Sequence, residues 1–303
     1  MAILRYTASI DTTITNAYKA GLAESTRATG SNMGASDSLE VFSIYGQTTS
    51  SAGGYSAELS RILMKFPVSK ISSDRTANTI PASGSVDFYL RLYNVTHPGT
   101  LPRSYYLTVA GVTNSWQEGI GLDMETYSDK DEANWIDRKS GSAWDIVGGD
   151  YHTGTYAGLP AGSNLPHYNV YFDKGNEDLE LNITTMVEEW IASNEDATVN
   201  NGIGIFLSGT YEAYHSNSVG THTTSSMHNL EGAKRSYYTK KFSGRGTEFF
   251  FKRPTIEARW NSATKDDTGN FFLSSSLLGA EDNLNTLYLY NYFGGQLKDI
   301  PDG

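Results

Sequence analysis

The chain contains no cysteine. Disulfides, thiolate zinc sites and cysteine nucleophiles are excluded together. Positive charge is also in short supply: 23 basic residues stand against 34 acidic ones, a formal charge of −11. Phosphate backbones are gripped by basic faces, so no nucleic-acid partner is expected. No stretch approaches the roughly 18 consecutive apolar residues that a membrane-spanning helix needs, so no membrane partner is expected. The opening MAILRYTASIDTTIT has no n-region, no apolar h-region and no small-residue cleavage site. The expectation is a soluble chain made in the cytoplasm. Proline is scarce as well, 8 residues against 30 glycines, which leaves most turns to glycine. A Gly-rich phosphate loop with its lysine, H-E-x-x-H and G-x-S-x-G are all missing.

What is present is a succession of short alternating runs. In SLEVFSIYG (38–46), Leu39, Val41 and Ser43 share a face. In LSRILMKFPVSKI (59–71), Ile62, Met64 and Phe66 lie on one face and Arg61, Leu63 and Lys65 on the other. SVDFYLRLYNV (85–95) aligns Val86, Phe88, Leu90 and Leu92. RSYYLTVAGV (103–112), NGIGIFLSG (201–209) and PTIEARW (254–260) follow the same pattern. Period two with turn residues between runs is the mark of half-buried strands. One helix stands out, over 183–196 (about 183–195 at its core). Thr185 and Glu188 have the spacing of a capping box. Met186, Val187, Trp190 and Ile191 form its apolar stripe, with Trp190 as a core anchor.

Two loops carry the candidates for chemistry. The stretch 210–235 is polar and holds His215, His222 and His228, whose spacing fits no common zinc pattern and points to a solvated loop. The second, ANWIDRKSGSAWDIVGGDY (133–151), joins Trp135 and Trp144 to a Gly-Gly pair, with Trp116 just upstream. Its tryptophans either plug the end of a sandwich or, if exposed, stack on sugar faces. Tyr127, Trp135 and Tyr151 are the candidate glycan platform. Acidic residues crowd the same region. Sequence shows no opposed carboxyl pair, so no catalytic residue is assigned and the chain is not expected to be an enzyme. No cofactor is expected. Calcium, which takes several oxygen ligands from loops, has Asp129, Asp131 and Asp137 as candidate ligands, although DKDEANWID lacks the order of an EF-hand. The sequons at 94–96 and 182–184 would matter only in a secretory pathway, which the chain is not expected to enter.

The order of these elements resembles a known module. SNMGASDSLEVFSI (31–44), RILMKFPVSKI (61–71), FYLRLYNV (88–95), VTNSWQEG (112–119), SAWDIVGGDY (142–151), LNITTMVEEWIAS, NNGIGIFLSG (200–209) and RPTIEARW (253–260) follow one another as in the DNRLRE-type β-sandwich module, which is carbohydrate-binding-module-like. DTTITNAY (11–18) leads the series, and the likeness covers about residues 5–260. It implies an all-β, antiparallel, jelly-roll-like β-sandwich with one short helix, in a family not known for catalysis of its own. Such modules are usually exported, yet this chain carries no leader and has long insertions at 95–105, 152–170 and 210–240. Release inside a virus particle is a route outward that needs no leader.

Residues 261–303 read as a linker with a C-terminal extended arm, or as the start of a second β domain. In TLYLYNYF (286–293), Leu287 and Leu289 alternate with Tyr288, Tyr290 and Tyr292, one strand with no partner after it. Those five residues are the candidate assembly arm. The stretch from RPTIEARW to LYLYNYFGGQLKDIP resembles structural proteins of tailed marine phages, such as those that infect cyanobacteria. The resemblance implies a capsid-decoration, tail or fibre component of the virion. Its partners would be other virion proteins and copies of itself, with a host surface glycan as the alternative.

Overall fold

A computed structural model describes residues 1–19, 21–22, 26–49, 55–96, 99–123, 132–152, 166–193, 200–216, 228–263, 268–271, 275–294 and 296–301. The chain divides into a large unit, Ala2–Asn261, and a second unit from Ser262 onward. The large unit is an all-β sandwich whose strands pair antiparallel throughout.

One sheet has four strands in the order β1 (Ala2–Thr7), β13 (Thr255–Trp260), β5 (Asp87–Leu92) and β10 (Leu179–Asn182). The other runs β12 (Tyr237–Ser243), β3 (Ser38–Thr49), β4 (Tyr55–Lys65), β11 (Ile203–Leu207), β6 (Tyr105–Gly111), β9 (Tyr168–Phe172). A further strand, β2 (Ile10–Thr15), joins this sheet on β4. The long β4 changes neighbour along its length. It pairs with β3 up to Ser43↔Leu59, and with β2 from Thr15↔Ser60 to Ile10↔Lys65.

The alternation of each strand decides which residues meet between the sheets. Phe88, Leu90 and Leu92 of β5, Ile256 and Ala258 of β13, Ile62 and Met64 of β4, and Ile203, Ile205 and Leu207 of β11 all enter one buried cluster. On the outer face of the smaller sheet, Arg5 and Arg259 flank Glu257 at 2.8 and 2.6 Å, and Arg259 and Arg91 flank Glu180. This charge ladder crosses all four strands. Its exposed members add solubility more than stability.

Among the described residues two α-helices, not one, close the core. Pro67 stops β4 by removing a backbone donor and occupies the N-cap of α1 (Val68–Thr76), which the sequence reading had folded into the preceding strand. The expected helix is α2 (Thr184–Ala192). Met186, Val187 and Trp190 of α2 and Val68 and Ile71 of α1 join the main core. The expected capping box is not made. Asn182 Oδ1 accepts from the Thr184 amide at 3.0 Å, while the Glu188 carboxylate turns to Arg75 of α1, at 2.6 and 2.7 Å. An ionised, bidentate partner outcompetes a neutral backbone amide for that carboxylate.

Candidate functional site

The face of β4 that carries Arg61 and Leu63 is buried as well as the opposite one. Leu59 and Leu63 of β4, Ile14 of β2, Trp116, Trp135, Trp144 and Val147 form a second buried cluster on the outer face of the larger sheet. The described parts of this segment, 112–123 and 132–151, lie across that face as a lid. Trp116 Nε1 donates to the Asn201 carbonyl at 2.8 Å, and Trp144 Nε1 to the Asn134 carbonyl at 2.9 Å. Asn32 pins the lid from below. Its amide donates to the carbonyls of Glu118 and Ala133, and its Oδ1 accepts from the amides of Gly34 and Gly121. The Gly-Gly pair has a steric cause. Gly148 has φ +87°, and a Cβ there would stand 2.8 Å from the Trp135 ring. Asp150 then closes the turn by accepting from the amides of Asp145 and Ile146. The plug role is thus real, but it covers a sheet face rather than the end of the sandwich.

Beneath the lid sits a buried ion pair. Arg61 of β4 donates from Nε and Nη2 to the Glu212 carboxylate at 3.0 and 2.8 Å, and from Nη1 to the Gly148 carbonyl at 3.0 Å. The rings of Trp135, Tyr151 and Phe206 surround the guanidinium, with centroids 5.0–5.5 Å away. The signal for this site was a charged residue inside an apolar strand, LSRILMKF. Its partner, 151 residues away, left no trace in the sequence.

The expected site residues fare differently. Trp135 is fully buried and offers no face to a sugar, so it does not serve in a glycan platform. The Tyr151 hydroxyl donates to the Gly148 carbonyl at 2.9 Å and its ring packs on Phe206. Tyr127, Asp129, Asp131 and His222 lie outside the described residues. Asp137 belongs to a two-strand clip, β7 (Asp137–Lys139) with β8 (Ser142–Ala143). Among the described residues no three His, Asp or Glu gather as for a metal ion. His215 pairs with Asn229 in a short antiparallel bridge, so part of the polar 210–235 stretch is ordered by backbone contacts.

A charged cluster fastens the lid's edge. Asp11 is buried on β2, and its Oδ2 accepts from the Arg245 amide at 2.6 Å. Glu118 accepts from the Asp11 amide at 2.8 Å and from the Arg245 guanidinium at 2.7 Å. Burial pushes the Asp11 carboxyl from 3.8 up to about 6. The Arg245 amide and charge oppose that rise, and the adjacent Glu118 adds to it. The folded chain therefore holds a proton between pH 4 and 6 that the unfolded chain releases. The stability this contributes is complete below about pH 4 and is lost as the pH rises through about 6. Asp11→Asn is expected to remove this slope and to raise unfolding stability at pH 7 by about 1–3 kcal/mol. Urea titrations at pH 4 and 7 check it, and an unchanged pH slope would reject the assignment.

One surface of the sandwich is unlike the rest. After β12 the chain turns at Gly244 and Gly246 and presents Phe249, Phe250 and Phe251, which are 47%, 74% and 60% exposed. Phe250 and Phe251 open a single 3₁₀ turn that ends at Lys252, and their rings meet edge to face at 5.6 Å. Three adjacent side chains on so tight a turn cannot share one buried face. A groove of about 360 Å³ adjoins them, lined by Asn94, Thr96, Lys241, Thr247, Phe249 and Lys252 among others. It lies at the corner where residues 93–95 bridge to β12, through Val95 N to the Lys241 carbonyl and Ser243 N to the Tyr93 carbonyl. The strand pattern does not single out this cluster. Its signal is a run of three aromatics that no strand period can bury on one side.

The second unit, taken by itself, is small and apolar on its surface. A 3₁₀ turn spans Ala280–Asp282, and Asn283 closes onto Ser275 through both its side-chain atoms. The expected lone strand over 286–293 is instead β14 (Asn291–Phe293), paired with β15 (Gln296–Lys298) as a hairpin. Its partner thus follows within the chain. Leu287 and Leu289 precede it outside any strand, 72% and 71% exposed, and Tyr290, Tyr292 and Phe293 are also exposed. Tyr288 is half-buried. Among the described residues, none after Trp260 belongs to either buried cluster of the sandwich.

Among the described residues no helix is long and apolar enough to cross a membrane. In comparisons with known proteins, no family model matches this chain and no curated protein matches it.

Proposed function

We propose that this chain is a non-enzymatic assembly module, a structural protein of a tailed-phage virion, made in the host cytoplasm and acting through protein–protein contacts. The observation that carries the assembly reading is the second unit's surface. Leu277, Leu284, Leu287, Leu289 and Phe293 are each more than 70% exposed within some 20 residues. Apolar side chains concentrated in this way mark an interaction surface rather than a free-standing domain. The virion assignment rests on the resemblance of the sandwich to DNRLRE-type modules and of the tail to marine-phage structural proteins. The sandwich has complete cores of its own, so it serves as the rigid body that the arm links to its neighbours.

Truncation tests this. A chain ending at Asn261 is expected to unfold within about 2 °C of the full chain, since no core residue is removed. It is expected to lose self-association in sedimentation velocity and incorporation into particles. Loss of folding on truncation, or unchanged self-association, would reject the proposal.

The alternative reading is a carbohydrate-binding module. It is supported by the groove, where Phe249 stands beside the hydroxyl and amide groups of Asn94, Thr96, Ser243 and Thr247. Mixed aromatic and hydrogen-bonding linings of this kind suit sugars as well as peptides.

A further inference from the structure

We propose that Lys240 and Asn94 join through a self-catalysed isopeptide bond, a covalent staple between the two sheets of the sandwich. A chain without cysteine has no disulfide for that purpose. The staple is independent of whether the chain assembles with others.

The two side chains come from opposite sheets. Asn94 follows β5 of the smaller sheet, and Lys240 lies on β12 of the larger one. Backbone bonds hold them in register. Asn94 bridges antiparallel to Phe242, the Val95 amide donates to the Lys241 carbonyl, and the Ser243 amide donates to the Tyr93 carbonyl. The Asn94 backbone amide is itself held by Asp178 Oδ1 at 2.8 Å. Lys240 Nζ meets the side-chain oxygen of Asn94 at 2.7 Å. The carbon to be attacked is one bond beyond that oxygen. Groups fixed in this way meet at a high effective concentration, which a slow amine–amide exchange requires.

The surroundings favour the amine as a nucleophile. Lys240 is buried, and its Nζ lies 4.9 Å from the ring centres of both Phe172 and Phe242. Tyr105 stacks on Phe172 behind them. Besides Asn94, Nζ donates to the carbonyls of Gly175 at 3.1 Å and Glu177 at 2.5 Å. Burial brings the amine down from 10.5 to about 8, with the charges of Glu177 and Asp178 opposing that fall. A fraction of the molecules therefore carries a free lone pair on Nζ near neutral pH.

In the reaction the neutral Nζ attacks Asn94 Cγ. The Nζ–Cγ bond forms and the Cγ–Nδ2 bond breaks. Nζ gives up one proton, Nδ2 takes one up, and ammonia leaves. No oxidant, reductant or further reactant enters the balance. Asn94 also lines the groove of about 360 Å³ described above, which gives ammonia its exit. Two carboxylates bear on the Lys240 charge, those of Glu177 and Asp178. Asp178 is engaged with the Asn94 backbone, whereas Glu177 Oε2 is buried and has no hydrogen-bond partner among the described residues. Glu177 is therefore the group that carries the proton from Nζ to the departing nitrogen.

Mass spectrometry of the purified, denatured full chain tests the bond. The parent is expected to be lighter than its sequence requires by one ammonia. Its tryptic digest is expected to contain a branched peptide that joins the segments holding Asn94 and Lys240. The two residues are 146 positions apart, so the bond closes a long loop and the denatured parent is expected to migrate faster in a denaturing gel than Lys240→Arg or Asn94→Ala. Both variants are expected to keep the full mass of their sequences. Glu177→Gln is expected to cross-link roughly 100-fold more slowly, so that the unjoined form accumulates first. A parent that retains its full mass overturns the proposal and leaves Lys240 as a hydrogen-bonded anchor for the turn at 173–178. Loss of ammonia without a branched peptide places the reaction within the Asn94 backbone and overturns it equally. Cross-linking of Glu177→Gln at the parent rate removes Glu177 from the proton transfer.

Discussion

Replacing Arg61 by Met is expected to lower unfolding stability by about 3–5 kcal/mol, because Glu212 would be left charged and buried without its partner. In a chain with a sandwich of this size that corresponds to a fall in Tm on the order of 10 °C. The two carboxylate bonds of 3.0 and 2.8 Å and the third to the Gly148 carbonyl let Arg61 join β4, the lid and the segment bearing Glu212. Arg61→Lys is expected to fall between, since an ammonium keeps the charge but loses the planar fork and the ring contacts with Trp135, Tyr151 and Phe206. The deciding comparison is the double replacement Arg61→Met/Glu212→Leu. If desolvation of an orphaned carboxylate is the cause, removing both charges recovers most of the loss. Denaturant unfolding of the parent, Arg61→Met, Glu212→Leu and the double variant closes the cycle. A double variant as unstable as Arg61→Met would place the cost in packing, not charge.

Truncating Trp135 to Ala is the second large effect, about 3–5 kcal/mol, from a fully buried indole leaving a cavity over β4. The lid above cannot simply settle. Gly148 already rests against the ring in a left-handed conformation, and the Gly148 amide donates to the Trp135 carbonyl at 2.7 Å. Trp135→Phe is expected to cost less, since a smaller ring retains much of the contact. Near-ultraviolet circular dichroism should lose a rigid tryptophan band, and lid amides should exchange faster with solvent. A cost below about 1 kcal/mol would show the lid to be a loose cover rather than a second core. Trp135 also touches Arg61, so the two truncations are expected to be non-additive.

These two effects concern a layer of structure that was only half legible. The strand pattern placed Ile62, Met64 and Phe66 inward, and they are there. The same pattern put Arg61, Leu63 and Lys65 on the opposite face. A lid buries Arg61 and Leu63, and the strand is exposed only at its ends, at Tyr55 and partly at Lys65. A period of two reports that two faces differ, but not what covers each. α1 was missed for a related reason. VSKISSDRT has little amphipathic contrast, and its helix exists because Pro67 ends the strand and the core takes up Val68 and Ile71. α2 was visible because its stripe of Met186, Val187 and Trp190 is strong, yet its cap was misassigned because Glu188 had a better partner on another helix.

The candidate sites divide along the same line. The arm's apolar residues were legible, because Leu and Tyr at close spacing are conspicuous in a polar tail. Their pairing as β14 with β15 was not, since three-residue strands joined through Gly294 carry too short a period to read. The glycan platform at Trp135 failed because exposure is not a property of a residue type.

By itself, the sequence determined what depends on neighbours along the chain. It established the all-β character, which residues of the main strands share a face, the second helix and the absence of thiol chemistry. Tertiary structure alone decided what depends on distant partners: the Arg61–Glu212 pair, the tryptophan lid, the buried Asp11 and the exposed Phe249–Phe251 cluster. The physical reason is that backbone preference and periodicity are local, whereas burial is a property of the surface that arrives from elsewhere in the chain.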